Sequence, residues 1–212
     1  MTDERKAIVR RAYDRMADRY AAWSRAIDDD VRERMVADFA GRLESGAHVL
    51  DLGCGAGLPS TRSLAERFHV VGIDASATQI ELARQNVLKG EFHVSDMTDL
   101  EIPDATFDGI VALYSISHVP REEHGELFAR AYRWLRPGGH LLATLGATDS
   151  PDWTGPWLAE EMFFSSHPAD VNRALLEAVG FVLEVDEIAV TREPEGDVSF
   201  LWVIAKKRHT AS

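Results

Sequence analysis

Three glycines at alternate positions, Gly53, Gly55 and Gly57, follow the apolar run His48 to Leu52, inside which sits one carboxylate, Asp51. Glycine takes dihedrals closed to other residues and carries no side chain to hold a ligand off. A helical pattern starts just after the loop, so its first amides face whatever lies above the end of the strand. Strand, tight loop and helix together make a ligand site. The spacing is G-x-G-x-G, with Leu58 where a dinucleotide fingerprint would have its third glycine, which speaks against a nicotinamide-dependent oxidoreductase. A buried carboxylate before the loop suits a ligand with a positive group better than a pyrophosphate. The next apolar run, VVGID, ends in Asp74, 21 residues after Gly53. A carboxylate at the end of a second strand can accept hydrogen bonds from both hydroxyls of a ribose. Cys54, inside the loop, reads as small and apolar rather than nucleophilic, because no histidine adjoins it in sequence.

The elements that must position these residues follow from periodicity. Residues 3–25 carry Ile8, Val9, Tyr13, Met16, Tyr20 and Trp23 at helical spacing, and a second helical pattern runs from about Asp30 to Leu43. Pro59 suits the first turn of a helix running to about Phe68. Ser76 with Gln79 forms a capping-box pattern opening a helix to about Leu88. EFHVSDM predicts a third strand ending at Asp96, and FDGIVALYSIS a fourth, finishing between Tyr114 and His118. A charged helix over 121–135, a turn at Pro137-Gly138-Gly139 and a fifth strand HLLATL follow. Strands alternating with helices at this spacing mean an α/β fold, a doubly wound parallel sheet. Ligands to such sheets sit beyond the carboxyl ends of the strands, where Asp51, Gly53, Asp74, Asp96 and Tyr114 all fall.

The stretches VLDLGCGAG, VVGIDAS, HVSDMTDL, FDGIVALYSISHVP and LRPGGHLLATLG, in that order, resemble the class I S-adenosylmethionine-dependent methyltransferases, in the small-molecule (type 11/25-like) branch. The similarity covers about residues 10–145 closely and the rest loosely. It implies a seven-stranded, mostly parallel, Rossmann-like sheet with one antiparallel strand, N-terminal helices over the site, and S-adenosyl-L-methionine as cofactor. Tyr13 and Tyr20 of YDRMADRY would close over the cofactor, Tyr20 meeting its carboxylate; the same rings could instead only pack the helix onto the domain. Asp96 would accept a hydrogen bond from the adenine amine and Met97 would lie along the base, although Asp is also a common turn residue where strands end. Cys54, Ala75 and Tyr114 complete the implied cofactor set. The chain is expected to be one methyltransferase domain over 1–212, with lid helices in 1–45, the cofactor core in 46–145 and an acceptor-pocket connection with a closing helix and strands in 146–212.

That last region holds Trp153, Trp157, Met162, Phe163 and Phe164 among prolines and small residues, and long connections inside compact domains are commonly lids or binding loops. Trp153, Trp157 and Phe163, with Tyr13 and His118, are the expected substrate pocket. Phe181 to Ile188 and Val198 to Lys206 read as a closing antiparallel pair joined by the charged loop TREPEGD, and the tail Lys206 to His209 as solvated. His118 is the best-placed candidate base, Tyr20 the second candidate catalytic residue; a free imidazole titrates near pH 6.5, which predicts a rate rising through that region.

Composition narrows the partners. The 212 residues carry a formal net charge of −12, which disfavours nucleic acid as a partner. The place of the Asp/Asn-Pro-Pro-aromatic motif of base-directed methyltransferases reads Leu113-Tyr114-Ser115-Ile116. No clustered metal ligands appear, so no metal is expected. One cysteine excludes an internal disulfide and, with no signal-like or membrane-spanning apolar run, fits a soluble cytoplasmic protein without a membrane partner. The expected reaction is direct transfer of methyl to oxygen, nitrogen or carbon of a small, partly apolar metabolite. The alternative is a non-catalytic S-adenosylmethionine-binding protein or partner subunit.

Overall fold

The computed structural model describes residues 3–27, 30–194 and 196–208; His209, at the end of the basic tail, lies outside them. In chain order the elements are α1 (Glu4–Arg25), α2 (Asp30–Gly41), β1 (His48–Leu52), α3 (Ser60–Leu64), β2 (His69–Asp74), α4 (Ala77–Asn86), β3 (Glu91–Val94), β4 (Phe107–Ala112), α5 (His124–Trp134), β5 (Leu135–Gly146), β6 (Ser150–Trp157), β7 (Glu160–Ser166), α6 (Ala169–Ala178), β8 (Phe181–Glu193) and β9 (Gly196–Lys207). Seven strands form one sheet in the order β3-β2-β1-β4-β5-β9-β8. All pairings among the first five are parallel, and β9 alone runs against its neighbours β5 and β8. This is the doubly wound, mostly parallel sheet with one reversed strand that the sequence predicts.

Strand alternation splits the core between the two faces of the sheet. Leu50, Leu52, Ile110 and Ala112 pack with Phe128 and Trp134 of α5 and Leu176 of α6. Val49, Val111 and Trp202 pack on the other face with Phe39 of α2, Leu64 of α3 and Ile80 of α4. Asp51 points to this second face, two residues on from Val49. A third cluster lies off the sheet, where Val9, Ala12 and Met16 of α1 meet Met162 and Phe163 of β7.

Four expectations are corrected. The helix after the glycine loop ends at Leu64, not Phe68, and breaks into turns. Strand β3 stops at Val94, two residues short of Asp96. The capping box is half made: Gln79 N–H donates to Ser76 Oγ at 3.1 Å, but the Ser76 N–H is taken by Asp74, and the Gln79 side chain makes no return bond. The aromatic connection is not a loop but a hairpin, β6–β7, apart from the main sheet. Its turn residues Leu158 and Ala159 have φ of +48° and +63°. Such two-residue turns ordinarily announce themselves with Asn-Gly, so Leu-Ala gives no signal in sequence.

The β8–β9 pair is also longer than predicted. Pairing of β9 with β5 ends at Gly146 opposite Phe200, and beyond it Ser199 to Gly196 pair only with Val190 to Glu193. Arg192 and Asp197 are exposed on this ladder while Thr191 is buried and Glu193 half-buried, and the run of charge is why the segment reads as loop. Since β8 runs parallel to β5, this tip rises above the same sheet edge as the ends of β1 to β4.

Candidate active site

The glycine loop is pulled onto the neighbouring strands by its backbone. Gly53 and Cys54 both donate to Ile73 O, at 2.7 and 3.0 Å. Gly53 has φ of +77°, and a Cβ there would fall 2.3 Å from Ser115 Cβ, so the close approach of the loop to the end of β4 requires glycine. Ser115 Oγ donates to Leu52 O at 2.7 Å and closes the same contact. Gly55 N–H donates to Asp74 Oδ2 and Ser76 N–H to Asp74 Oδ1, both at 2.9 Å. Each carboxylate oxygen keeps a further lone pair. Burial pushes the Asp74 carboxyl up to about 6, the two backbone hydrogen bonds opposing it.

Above the strand ends lies a cleft of about 90 Å³, walled by Gly53, Gly55, Asp74, Ala75, Asp96 and Met97 below and by α1 above. Asp96 is both a turn residue and a cleft residue. Its Oδ1 accepts Thr98 N–H and Oγ–H at 2.9 and 2.8 Å, while Oδ2 lies 3.9 Å from Lys6 Nζ. Lys6 also donates to Thr98 Oγ1 and Glu123 Oε2, and Asp14 Oδ1 accepts Ser76 Oγ–H at 2.6 Å, so α1 is tied down at both sides of the cleft. Three expected cofactor contacts do not line it. Asp51 is buried behind the loop, accepting Thr61 Oγ–H at 2.7 Å, and burial drives it up to about 7. Cys54 is buried and its thiol is pushed up by desolvation. Gly57 packs on α4, where a Cβ would meet Val87 at 2.8 Å. These three support the wall from behind rather than form it.

A second cavity, of about 400 Å³, adjoins the first. Tyr13, Tyr20, Tyr114 and His118 line both. Tyr114 has φ of +56°, rare for an aromatic residue, and is held there by ring contacts with Phe200 and Trp202 at 4.9 and 5.5 Å and by the Arg32 guanidinium 4.7 Å over its face. His118 sits in a 3₁₀ turn, Ile116–His118. Its Nδ1 is 3.1 Å from Phe163 O and its Nε2 is 2.8 Å from Tyr13 Oη. A carbonyl only accepts, so the network assigns the proton to Nδ1 and leaves Nε2 to accept the Tyr13 O–H. Burial lowers His118 to about 4, against the opposing bond to Phe163, and pushes the Tyr13 phenol up. The expected titration near pH 6.5 is thereby corrected: His118 is neutral across the neutral range.

Trp153 and Trp157 line this second cavity; Phe163 does not. Phe163 is fully buried against α1, and its neighbour Phe164 faces the cavity instead, its ring 4.8 Å from that of His118. The period of two along β7 decides which is which. Trp23, Arg32, Phe200 and Glu193 complete walls that the sequence did not announce. Trp23 is legible only as one face of a helix, and the other three come from elements whose arrangement is long-range.

Residues 49–139 match a family model described as a methyltransferase domain. Among curated proteins, the chain is 33% identical over 178 residues to the O-methyltransferase cnsE of Penicillium expansum, covering 77% of this chain and 63% of that protein. It is 40% identical over 121 residues to phosphoethanolamine N-methyltransferase 3 of Arabidopsis thaliana, covering 52% of this chain and 24% of that one. The chain thus spans less than two thirds of the length of either. Among solved structures, the 1,6-didemethyltoxoflavin-N1-methyltransferase of Burkholderia thailandensis, with bound 1,6-didemethyltoxoflavin and S-adenosylhomocysteine, has a TM-score of 0.71 at 22% identity, covering 97% of this chain and 89% of that one. An S-adenosylmethionine-dependent methyltransferase of Methanosarcina mazei gives 0.70 at 21%, covering 80% and 96%. At these identities the likeness is one of fold.

Proposed function

We propose that residues 49–139, which match a methyltransferase-domain model, are a class I S-adenosylmethionine-dependent methyltransferase domain with S-adenosylmethionine as cofactor, and that this chain transfers methyl to an oxygen, nitrogen or carbon of a small, partly apolar acceptor held in the second cavity. The observation that carries this reading is the wall that the two cavities share, formed by Tyr13, Tyr20, Tyr114 and His118. A protein that only bound the cofactor would need no second cavity against the first.

The residues present fit the cofactor by their chemistry. Asp74 has a lone pair on each oxygen for ribose hydroxyls, Asp96 and Met97 flank the place for the base, and the bare backbone at Gly53 and Gly55 admits close approach. Tyr13 and Tyr20 would cover it from α1. The cofactor, when bound, supplies a methyl group activated by the sulfonium, so alignment and exclusion of water are what remains for the protein to do. Tyr114, held in its left-handed conformation, sets the partition through which the acceptor atom must reach. An acceptor O–H or N–H becomes far more acidic as its heteroatom is methylated. Tyr13 can accept that proton while passing its own to His118 Nε2, which makes the pair a relay rather than a single base.

Calorimetry with S-adenosylmethionine, S-adenosylhomocysteine and NAD tests the first part, and binding of NAD alone would overturn it. A screen of metabolites with radiolabelled methyl donor identifies the acceptor. With it in hand, His118→Asn and Tyr13→Phe should each slow turnover roughly 100- to 10,000-fold if the pair carries the proton. The wild-type rate should show no inflection near pH 6.5, because His118 is already neutral there. Variants within a few-fold of wild type across pH 6–9 would leave proximity as the whole of catalysis.

A further inference from the structure

The second cavity is walled by rings set at right angles. Trp157 meets Trp23 edge to face at 5.1 Å and 81°, and Phe164 at 5.5 Å and 84°. Trp153 lies tilted beside Phe164 at 6.0 Å and is itself half exposed at the rim. Perpendicular partners leave the faces of alternate rings open for stacking, and aromatic faces prefer offset or edge-on ring partners. Between the rings the remaining polar groups are largely neutral hydroxyls, among them Ser117, Thr148, Ser150 and Thr191.

Charge is sparse and balanced. Among the described residues lining this cavity, Arg32 and Glu193 are the only charged side chains, one of each sign, and the Arg32 guanidinium lies on the Tyr114 ring. The nearby arginines are committed elsewhere: Arg5 pairs with Asp152 and Glu122, Arg19 with Glu160, and Arg121 with Asp149. Recognition of a phosphate or a carboxylate calls for clustered cations aimed into the site, with Arg the favoured residue. A cage for an alkylammonium calls for several ring faces converging on one point, ordinarily with a carboxylate nearby. Here Tyr20, Trp23 and Trp157 pack on one another at 5.1 to 6.1 Å instead of opening around a common centre.

Resting on the reading of this cavity as the acceptor site, we propose that the acceptor is a flat, uncharged aromatic or heteroaromatic molecule. Its body lies against the ring faces that Trp157, Phe164 and Trp23 turn to the cavity, and a ring-edge O–H or N–H meets the Tyr13–His118 pair. A cavity of about 400 Å³ stands toward the small end of ligand pockets and suits about two or three fused rings. The tip of β8–β9 bounds the cavity through Val198 and Phe200, the latter packed on the Tyr114 ring of the shared wall.

The test uses the full chain saturated with S-adenosylhomocysteine, so that nothing turns over. Three probes are titrated by calorimetry at pH 7.5: 2-naphthol, phosphoethanolamine and N,N-dimethylaminoethanol. The expected result is that 2-naphthol binds at least tenfold more tightly than either charged probe. Trp157→Ala and the half-exposed Trp153→Ala should each weaken 2-naphthol about 3- to 10-fold with S-adenosylhomocysteine affinity unchanged. A charged probe binding as well as 2-naphthol, or 2-naphthol binding equally to wild type and both variants, overturns the proposal. Failure of the wild type to bind S-adenosylhomocysteine in the prior titration would instead defeat the cofactor assignment, and the two failures are read separately.

Discussion

The two cavities share a wall but are built by different means. The cleft proposed for the cofactor rests on the ends of β1, β2 and β3 and works through backbone and strand-end carboxylates, with Asp74 Oδ2 fixing the glycine loop at Gly55 and Oδ1 the start of α4 at Ser76. The second cavity is assembled from side chains of α1, α2, the β6–β7 hairpin and the β8–β9 tip, which lie far apart in the chain. The hairpin is tied on by surface pairs such as Arg5–Asp152 and Arg19–Glu160 and by the small cluster around Phe163. A sheet end allows little change without loss of the fold. A cavity walled by appended hairpins can change its lining at small cost to the core, which is where specificity for one acceptor is most easily written.

Neighbouring phenylalanines give the sharpest way to break this division. Phe163→Ala empties a fully buried site and should cost about 3–5 kcal/mol of stability, seen in urea unfolding, because a cavity is left that the cluster cannot refill. Phe164→Ala should leave most of the stability and instead raise the acceptor KM. Equal losses of stability in both would mean that the second cavity is core, and the contrast would collapse.

On the cofactor side, Asp74→Ala should lose about 2–3 kcal/mol of S-adenosylhomocysteine affinity by calorimetry, since hydrogen bonds to a charged acceptor disappear together with the anchor of the Gly55 amide. Binding of 2-naphthol to the second cavity should be little changed. An unaltered cofactor affinity in a folded variant would move the ribose site off β2.

The cleft was legible because its signals are local: three glycines, two carboxylates at strand ends, and alternation that fixes a parallel sheet. Legibility failed inside the loop itself, where Asp51, Cys54 and Gly57 are of the right type at the right place but face away from the cleft; orientation in a tight turn is not carried by spacing. It failed more widely after Gly146. Without the hairpin, the period of two cannot be applied to Phe163 and Phe164, and only the pairing of β6 with β7 shows that Phe164, not the expected Phe163, lines the second cavity. Arg32 and Phe200 reach the cavity only through the packing of α2 and the crossing of β9 beside β5, contacts no window of sequence contains.

The halves should also answer pH differently. Burial holds Asp51 at about 7 against an ordinary value of 3.8, so the folded chain keeps a proton that the unfolded chain has lost through that window. The contribution of Asp51 to the stability of the unliganded protein therefore falls as pH rises from about 4 and levels off above about 7. Between pH 5 and 7 the loss through Asp51 is up to about 3 kcal/mol, at 1.36 kcal/mol per pH unit. Asp51→Asn keeps an acceptor for Thr61 and removes the charge, so its urea midpoint should exceed that of wild type at pH 8 and approach it at pH 5. The acceptor side answers with the opposite sign: burial lowers His118 to about 4, so the folded imidazole stays neutral while the unfolded one takes a proton below about 6.5, and its contribution is lost as pH falls from about 6.5 toward 4. A difference in midpoint between wild type and Asp51→Asn that is the same at pH 5 and at pH 8 would show the carboxylate is not held neutral.

The smallest expected effect lies at the hairpin turn and bears on how separable the halves are. Ala159 has φ of +63°, a region that costs a residue with a Cβ about 1–2 kcal/mol and glycine nothing. The chain tolerates it because α1 holds the turn from outside: Arg19 Nε donates to Leu158 O at 2.9 Å and its guanidinium pairs with Glu160, while the Leu158 side chain packs against the Phe163 cluster. Ala159→Gly removes the strain but gives the unfolded chain more freedom, worth about 0.4–1 kcal/mol in the opposite sense. The net should be a gain of about 0.5 kcal/mol, near the limit of what a thermal melt resolves, at roughly 1–2 °C for a chain of this size. Amide exchange reads it better, as slower exchange confined to β6 and β7. If the halves are built separately, S-adenosylhomocysteine affinity stays where it was while the hairpin tightens. A change in that affinity would mean that the turn acts through α1 on the cofactor cleft, and that the second cavity cannot be retuned without retuning the first.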